Sequence, residues 1–244
     1  MIGQGQFDTD AANLLQNLKY LQLQCYHAED ESNTLFSSGL IEKIPNLKTL
    51  KVLCSTFNEI FTSQKPNADC AKIVLKLKGL YLDTLKRLSS IGLEHSWVEP
   101  LLKTLETLDV GLCPCLKILV PSNVSFSNLI NLTVDGCHGL VYLLTLSTAR
   151  SLGLLKNLSV QDCQAIEEIV SKEGDHESIE DEIIFGQLRT LSLQFLPNFV
   201  GFHTGTSKFI FPLLSQMNLM GCPQMKYFFE HDLRQFVPSN FATL

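Results

Sequence analysis

No stretch of the 244-residue sequence approaches the ~18 consecutive apolar residues of a membrane-spanning helix. The first ten residues, MIGQGQFDTD, hold neither a basic n-region nor an apolar h-region, so no secretory signal is read there and a cytoplasmic protein is expected. Nowhere does Gly-x-x-x-x-Gly-Lys-Ser/Thr occur, which excludes a phosphate-loop nucleotide site from this chain. Basic residues are few: 19 Lys and Arg stand against 25 Asp and Glu, a net charge of −6. That deficit argues against a phosphate-binding nucleic-acid surface. Close C-x-x-C pairs are missing, and with them the usual spacing of a structural zinc site. Eight cysteines in 244 residues are too sparse for the disulfide framework of a small secreted scaffold.

The charge that is present is unevenly placed. Between Glu167 and Glu182 eight acids stand against Lys172, a local charge of −7, so the remainder of the chain sums to +1 (−6 minus −7). Such a run reads as a solvated, self-repelling loop, or as a docking site for a basic partner. With 45% of residues hydrophobic and 18% charged, the rest can bury a sizeable core.

That core is written as a repeat. On the template L-x-x-L-x-L-x-x-C lie LETLDVGLC (Leu105 to Cys113), LINLTVDGC (Leu129 to Cys137), LKNLSVQDC (Leu155 to Cys163) and LSQMNLMGC (Leu214 to Cys222). LKGLYLDTL from Leu77 and LRTLSLQFL from Leu188 end on leucine, and weaker copies start at Leu18 and Leu47. Three residues before the leading leucine all eight copies are apolar: Leu15, Ile44, Val74, Leu102, Phe126, Leu152, Phe185 and Phe211. Six copies are apolar again three and six residues after the core, for example Leu116/Leu119 and Met225/Phe228. The leading leucines, at 18, 47, 77, 105, 129, 155, 188 and 214, recur at nearly constant spacing. The longest step runs from Leu155 to Leu188, and the acidic segment, 167–182, lies within it.

In L-x-L the two leucines of an extended strand share one face. A single unit has nothing to bury them against, so copies stack. The pattern predicts an α/β leucine-rich-repeat solenoid over residues 1–244. It has about eight repeats, a curved parallel sheet on the concave face and irregular or short helical segments behind. Cys113, Cys137, Cys163 and Cys222 are expected just past the strands as small hydrophobes with a weak S–H donor.

The residues between the leucines point away from the core. Along the array these are Tyr20, Gln22, Thr49, Lys51, Tyr81, Asp83, Thr107, Asp109, Asn131, Thr133, Asp135, Asn157, Ser159, Gln161, Thr190, Ser192, Gln194, Gln216 and Asn218. The stretch from Tyr81 to Asn218 is the candidate protein-binding surface. Its polar, mostly uncharged character suits a protein rather than nucleic acid or a membrane. Of three Asn-x-Ser/Thr triplets, at Asn123, Asn131 and Asn157, the last two fall in this row, where a glycan would cover the sheet. Cys113-Pro-Cys115 and the neighbouring Cys137-His138 offer soft metal ligands, and a cysteine nucleophile with His138 or His203 would need a base and an oxyanion hole in one cleft. No metal, cofactor or catalytic residue is expected.

The motif L-x-x-L-x-V-x-x-C followed by C-x-x-L-x-x-Leu/Ile/Phe resembles one family in particular. So do the runs LSTARSLGLLKNLSVQDCQAIEEIVSKEG and IIFGQLRTLSLQFLPNF, and Phe126 to Phe229 is the most specific part. These look like the carboxy-terminal leucine-rich repeats of plant coiled-coil nucleotide-binding disease-resistance receptors. The resemblance implies an array that recognises pathogen effectors, or host proteins they modify, and that packs on a nucleotide-binding domain to restrain it. The coiled-coil and that domain are not in this sequence, which then reads as a sensor without its motor, either a piece of a longer receptor or a truncated relative. Neither Met1 to Asn13 nor Arg234 to Leu244 reads as a convincing cap for the array. The alternative is a ubiquitin-ligase substrate receptor of the F-box type, whose helical segment would need to fit in the short stretch before Leu18.

Overall fold

The computed structural model describes residues 15–25, 34–36, 44–61, 76–91, 98–122, 124–171 and 182–226. Residues 172–181 of the acidic segment, Cys70, Val74, Asn123, Phe228 and the terminal stretches 1–14 and 227–244 lie outside them.

In chain order the first strands are β1 (Tyr20–Gln24), β2 (Thr34–Phe36), β3 (Thr49–Leu53), β4 (Glu59–Phe61), β5 (Gly79–Asp83), β6 (Thr107–Gly111) and β7 (Asn131–Asp135). There follow β8 (Tyr142–Thr145), β9 (Asn157–Gln161), β10 (Glu168–Ser171), β11 (Glu182–Ile184), β12 (Thr190–Gln194), β13 (Lys208–Ile210) and β14 (Gln216–Met220). Among the described residues two five-residue helices, α1 (Val98–Leu102) and α2 (Leu146–Arg150), lie between strands.

Eight of these strands form one parallel sheet in the order β1-β3-β5-β6-β7-β9-β12-β14. Each begins two residues after a leading leucine of the repeat. Pairing is in register throughout, so Leu108, Leu132, Leu158 and Leu191 stand side by side, as do Val110, Val134, Val160 and Leu193. All eight of these side chains are buried. A parallel solenoid sheet is thus the observed architecture, and its core lies directly beneath the L-x-L positions.

The flanking apolar residues form the rest of the core through single tight turns. The leading leucine donates its N–H to the carbonyl three residues earlier, as from Leu47 to Ile44, Leu129 to Phe126 and Leu188 to Phe185 (3.1–3.3 Å). Residues three apart in such a turn lie on one face, which turns both side chains inward. Past the sheet the same geometry recurs, from Leu116 to Cys113 and from Phe199 to Leu196 (3.2 Å each). Coils are also clipped by side chains. Asn46, Asn128 and Asn198 donate to the carbonyls of Gln16, Lys103 and Gln164 (2.6–2.8 Å), and Thr104 donates to that of Leu77 (2.9 Å).

Behind the large sheet the described chain makes three two-stranded parallel pairs, β2–β4, β8–β10 and β11–β13. Helix α2 starts on Thr145, whose hydroxyl accepts from the N–H of Thr148, satisfying one of the unpaired donors of a helix start. The described ends of the acidic segment belong to this rear layer: β10 carries Glu168 and β11 begins at Glu182. Around the second end Phe185 meets Phe202 edge-on and stacks on Phe211, with ring centroids 6.0 and 5.3 Å apart.

Every strand of the large sheet is followed at once by a residue with φ between 48° and 66°: Cys25, Cys54, Thr84, Leu112, Gly136, Asp162, Phe195 and Gly221. Only two of the eight are glycine, although left-handed backbone favours it. Seven of these residues donate their N–H forward to the last carbonyl of the next strand, as Leu112 does to Asp135 (2.8 Å) and Phe195 to Met220 (2.7 Å). The unusual backbone is what aims the N–H at the neighbouring coil. The sequence places cysteine at the turn past the strand; the left-handed residue just before that cysteine is the one that turns the chain.

Candidate protein-binding surface

In-register pairing converts the outward residues into three parallel rows. The first runs Tyr20, Thr49, Gly79, Thr107, Asn131, Asn157, Thr190 and Gln216, and the second Gln22, Lys51, Tyr81, Asp109, Thr133, Ser159, Ser192 and Asn218. The third runs Gln24, Leu53, Asp83, Gly111, Asp135, Gln161, Gln194 and Met220. Strands stand about 4.8 Å apart, so row neighbours can touch. Asn157 donates to the amide oxygen of Asn131 (2.7 Å), and Asn131 to the hydroxyl of Thr107 (3.3 Å). The two triplet asparagines are thereby tied into the sheet.

All nineteen outward residues named from the sequence occupy these rows. Gly79, Gly111, Gln24, Leu53 and Met220 complete them; the two glycines, Leu53 and Met220 escape a reading of the sequence because neither glycine nor an apolar residue reads as a polar contact, and Gln24 lies in one of the weaker copies. The glycines shape the surface. A Cβ on Gly79 would lie 2.9 Å from Cε2 of Tyr81, and one on Gly111 would lie 2.8 Å from Oδ1 of Asp83. Gly79 thus lets the Tyr81 ring lie along its strand, where Lys51 sets its ammonium 4.7 Å from the ring centroid, a cation–π contact. Gly111 clears room for the Asp83 carboxylate.

Asp83, Asp109 and Asp135 come from three adjacent strands and make the centre of the sheet acidic. Burial, then the neighbouring Asp83, raises the pKa of Asp109, with Lys51 opposing and Asp135 adding. Burial, then Asp162, then Asp83, raises Asp135. A carboxyl raised above its unfolded value of 3.8 disfavours folding once ionised. Its penalty is absent at low pH and grows as pH rises through the raised value. Asp109→Asn is therefore expected to raise the urea midpoint at pH 7 and to leave it unchanged at about pH 3, below the unfolded value. A stabilisation larger at the acid end than at neutral pH would contradict this arrangement.

The cysteines sit behind the rows. Cys113, Cys137 and Cys163 are buried, and Cys115 is exposed. Cys113 and Cys163 donate to Gly111 O and Gln161 O (3.2 Å each). Cys137 donates to the carbonyl of Val110 in the preceding coil (3.7 Å) and to its own Asp135 O (3.6 Å). A hydrogen bond with Cys137, together with burial, holds the Cys113 thiol well above its ordinary value, and burial pushes Cys163 up to about 12. Cys113 and Cys163, kept protonated, are poor nucleophiles and poor metal ligands, whereas the hydrogen bond with Cys113 lowers the pKa of the Cys137 thiol. Among the described residues no group of three His, Cys, Asp or Glu side chains converges as a metal site, and no helix is long and apolar enough to cross a membrane.

The arrangement is a polar sheet on a cysteine-containing leucine-rich solenoid, and one family model matches it: plant disease resistance protein RPS2-like, leucine-rich repeats, over residues 1–125 and 119–236. The chain belongs to this family. Its overlapping matches run through all eight strands of the large sheet. No solved structure matches. As an RPS2-like leucine-rich-repeat region, the chain is a plant-immunity recognition module of the type that works by protein interaction.

Proposed function

We propose that this RPS2-like array senses a pathogen effector, or a host protein that an effector modifies, in the plant cytoplasm, and that it binds this protein on the concave sheet. The observation that carries the reading is the set of three in-register rows spanning eight strands. They are polar and largely uncharged at the flanks and acidic at Asp83, Asp109 and Asp135. Polar groups on a rigid sheet can satisfy the hydrogen bonds of a protein surface, whereas the acidic centre repels the phosphates of nucleic acid. The array acts without a cofactor and as a single unit over residues 1–244.

The central positions Thr133, Asp135, Ser159 and Gln161 occupy two adjacent strands and are the contacts of choice for a test. Replacing all four with alanine is expected to weaken binding of the recognised effector or host protein by about thirtyfold or more, the scale of a binding hot spot, with an unfolding midpoint that does not fall. Binding retained in isothermal titration would move the site off the sheet.

Within a larger receptor, the same array is proposed to pack on a nucleotide-binding domain and to hold it inactive. Co-expression of that domain with and without the array, read as cell death in leaf tissue, is expected to show suppression when the array is present. Equal activity in the two arms would remove the restraint role.

A further inference from the structure

Past the third row, the strand exits of the last coils carry an apolar surface that the packing of the core does not require. Phe195 is 47% exposed and holds φ of 53°, at the position that Gly221 holds one coil later. A bulky side chain in left-handed backbone is an outlier that the surrounding structure must sustain. Its ring lies against the next coil, where a Cβ on Gly221 would meet Cδ1 of Phe195 at 2.8 Å. Phe195 thereby becomes one wall of an open groove of about 1010 Å³ that is also lined by Pro197, Met220, Pro223 and Met225. Met220 is itself 49% exposed.

The charge in this groove has one sign. Asp162 is the sole charged residue among the described residues lining it, with no described lysine or arginine in that lining to offset it. Asp135, on the strand before, stands near enough to be repelled by Asp162. Two methionines, soft and adaptable in packing, face an aromatic wall beside a carboxylate. An apolar side chain next to a cation complements both features at once.

We propose that this groove takes a peptide segment of the protein partner in which an aromatic or long aliphatic side chain stands next to an arginine or lysine. The apolar side chain packs on Phe195, Met220 and Met225, and the cation lies on Asp162. This deepens, and rests on, the reading of the array as protein-binding, and it adds the strand-exit rim to the concave rows as a subsite for basic-apolar sequence.

Methionine methyl NMR on the full chain tests it, because Met220 and Met225 are two of only four methionines. The probes are N-acetyl-Phe-Arg-amide and N-acetyl-Phe-Glu-amide. The arginine probe is expected to shift the Met220 and Met225 methyl signals saturably and to bind about two- to fivefold more tightly than the glutamate probe, the scale of an exposed ion pair. Asp162→Asn, which keeps a residue tolerant of left-handed backbone, is expected to abolish that preference. Phe195→Ala is expected to abolish the saturable shift. No saturable shift, equal affinity for the two probes, or a shift that persists in Phe195→Ala overturns the proposal. So does movement of the two methyl signals by Phe228→Ser alone, which would make the chain's own end the occupant, or by protein concentration alone, which would make it a second copy. The titration uses the unsubstituted sheet, so its failure is separable from loss of binding in the four-residue concave variant.

Discussion

Phe185→Ala is expected to destabilise the protein by about 3–5 kcal/mol, the cost of deleting a fully buried aromatic ring where the site cannot collapse. Phe185 has no exposed surface and touches three other rings: Phe202 edge-on, and Phe209 and Phe211 at 6.2 and 5.3 Å between centroids. Aromatic pairs of this kind contribute about 0.5–1.5 kcal/mol each beyond their buried area, so one truncation removes several favourable contacts together. Its backbone N–H also donates to Ile210 O (2.9 Å), continuing the β11–β13 pair by one bond. The loss should therefore be seen first behind the large sheet, where the chain returns from the acidic segment. Urea denaturation would show the lower midpoint, and hydrogen exchange would show early loss of protection at Ile183, Ile184 and Phe185. Phe185→Leu, which keeps most of the volume, should recover much of the stability. Protection lost first in the large sheet instead would show that the rear cluster does not fold as a local unit.

Leu132→Ala is expected to cost about 2–5 kcal/mol. Leu132 is the second residue of β7, fully buried, between Leu108 and Leu158 of the adjoining strands. In a solenoid each coil contacts only its neighbours, so a cavity here weakens two coil interfaces together. Leu219→Ala on the outermost strand β14 is the informative control. Its side chain is only partly buried, and among the described residues its strand is paired on one side alone. The control should cost clearly less. Equal losses at the two positions would mean that coil stacking contributes little at Leu132.

Leu132 and Phe185 also show how differently parts of the fold are written in the sequence. Leu132 is legible at once, because it belongs to an L-x-L pair recurring in eight copies, and period-two alternation then settles which face it occupies. The same arithmetic places Thr133 and Asp135 outward, and the structure puts both on the open face of β7. Phe185 is visible only as an apolar residue three positions before a leading leucine. Nothing local says that its ring meets those of Phe202 and Phe211, both much farther along the chain, because those approaches are made by coils stacking, not by periodicity.

The candidate surface divides in the same way. By itself the sequence determined the repeat, the strand positions, the inward leucines and the outward polar residues, since each depends on spacing within one unit. Only the tertiary structure decided which outward residues become neighbours. In-register parallel pairing brought Asp83, Asp109 and Asp135 together across three coils, set Lys51 over Tyr81 in the space Gly79 leaves, and tied Asn157 to Asn131. It also fixed the left-handed turn after every strand of the large sheet, which six non-glycine residues and two glycines occupy and which residue type does not announce. The physical reason is the range of the interactions. Alternation along a strand is imposed by the geometry of neighbouring residues, whereas a charge cluster, a ring stack or a groove exists only once segments a full repeat apart have been laid side by side.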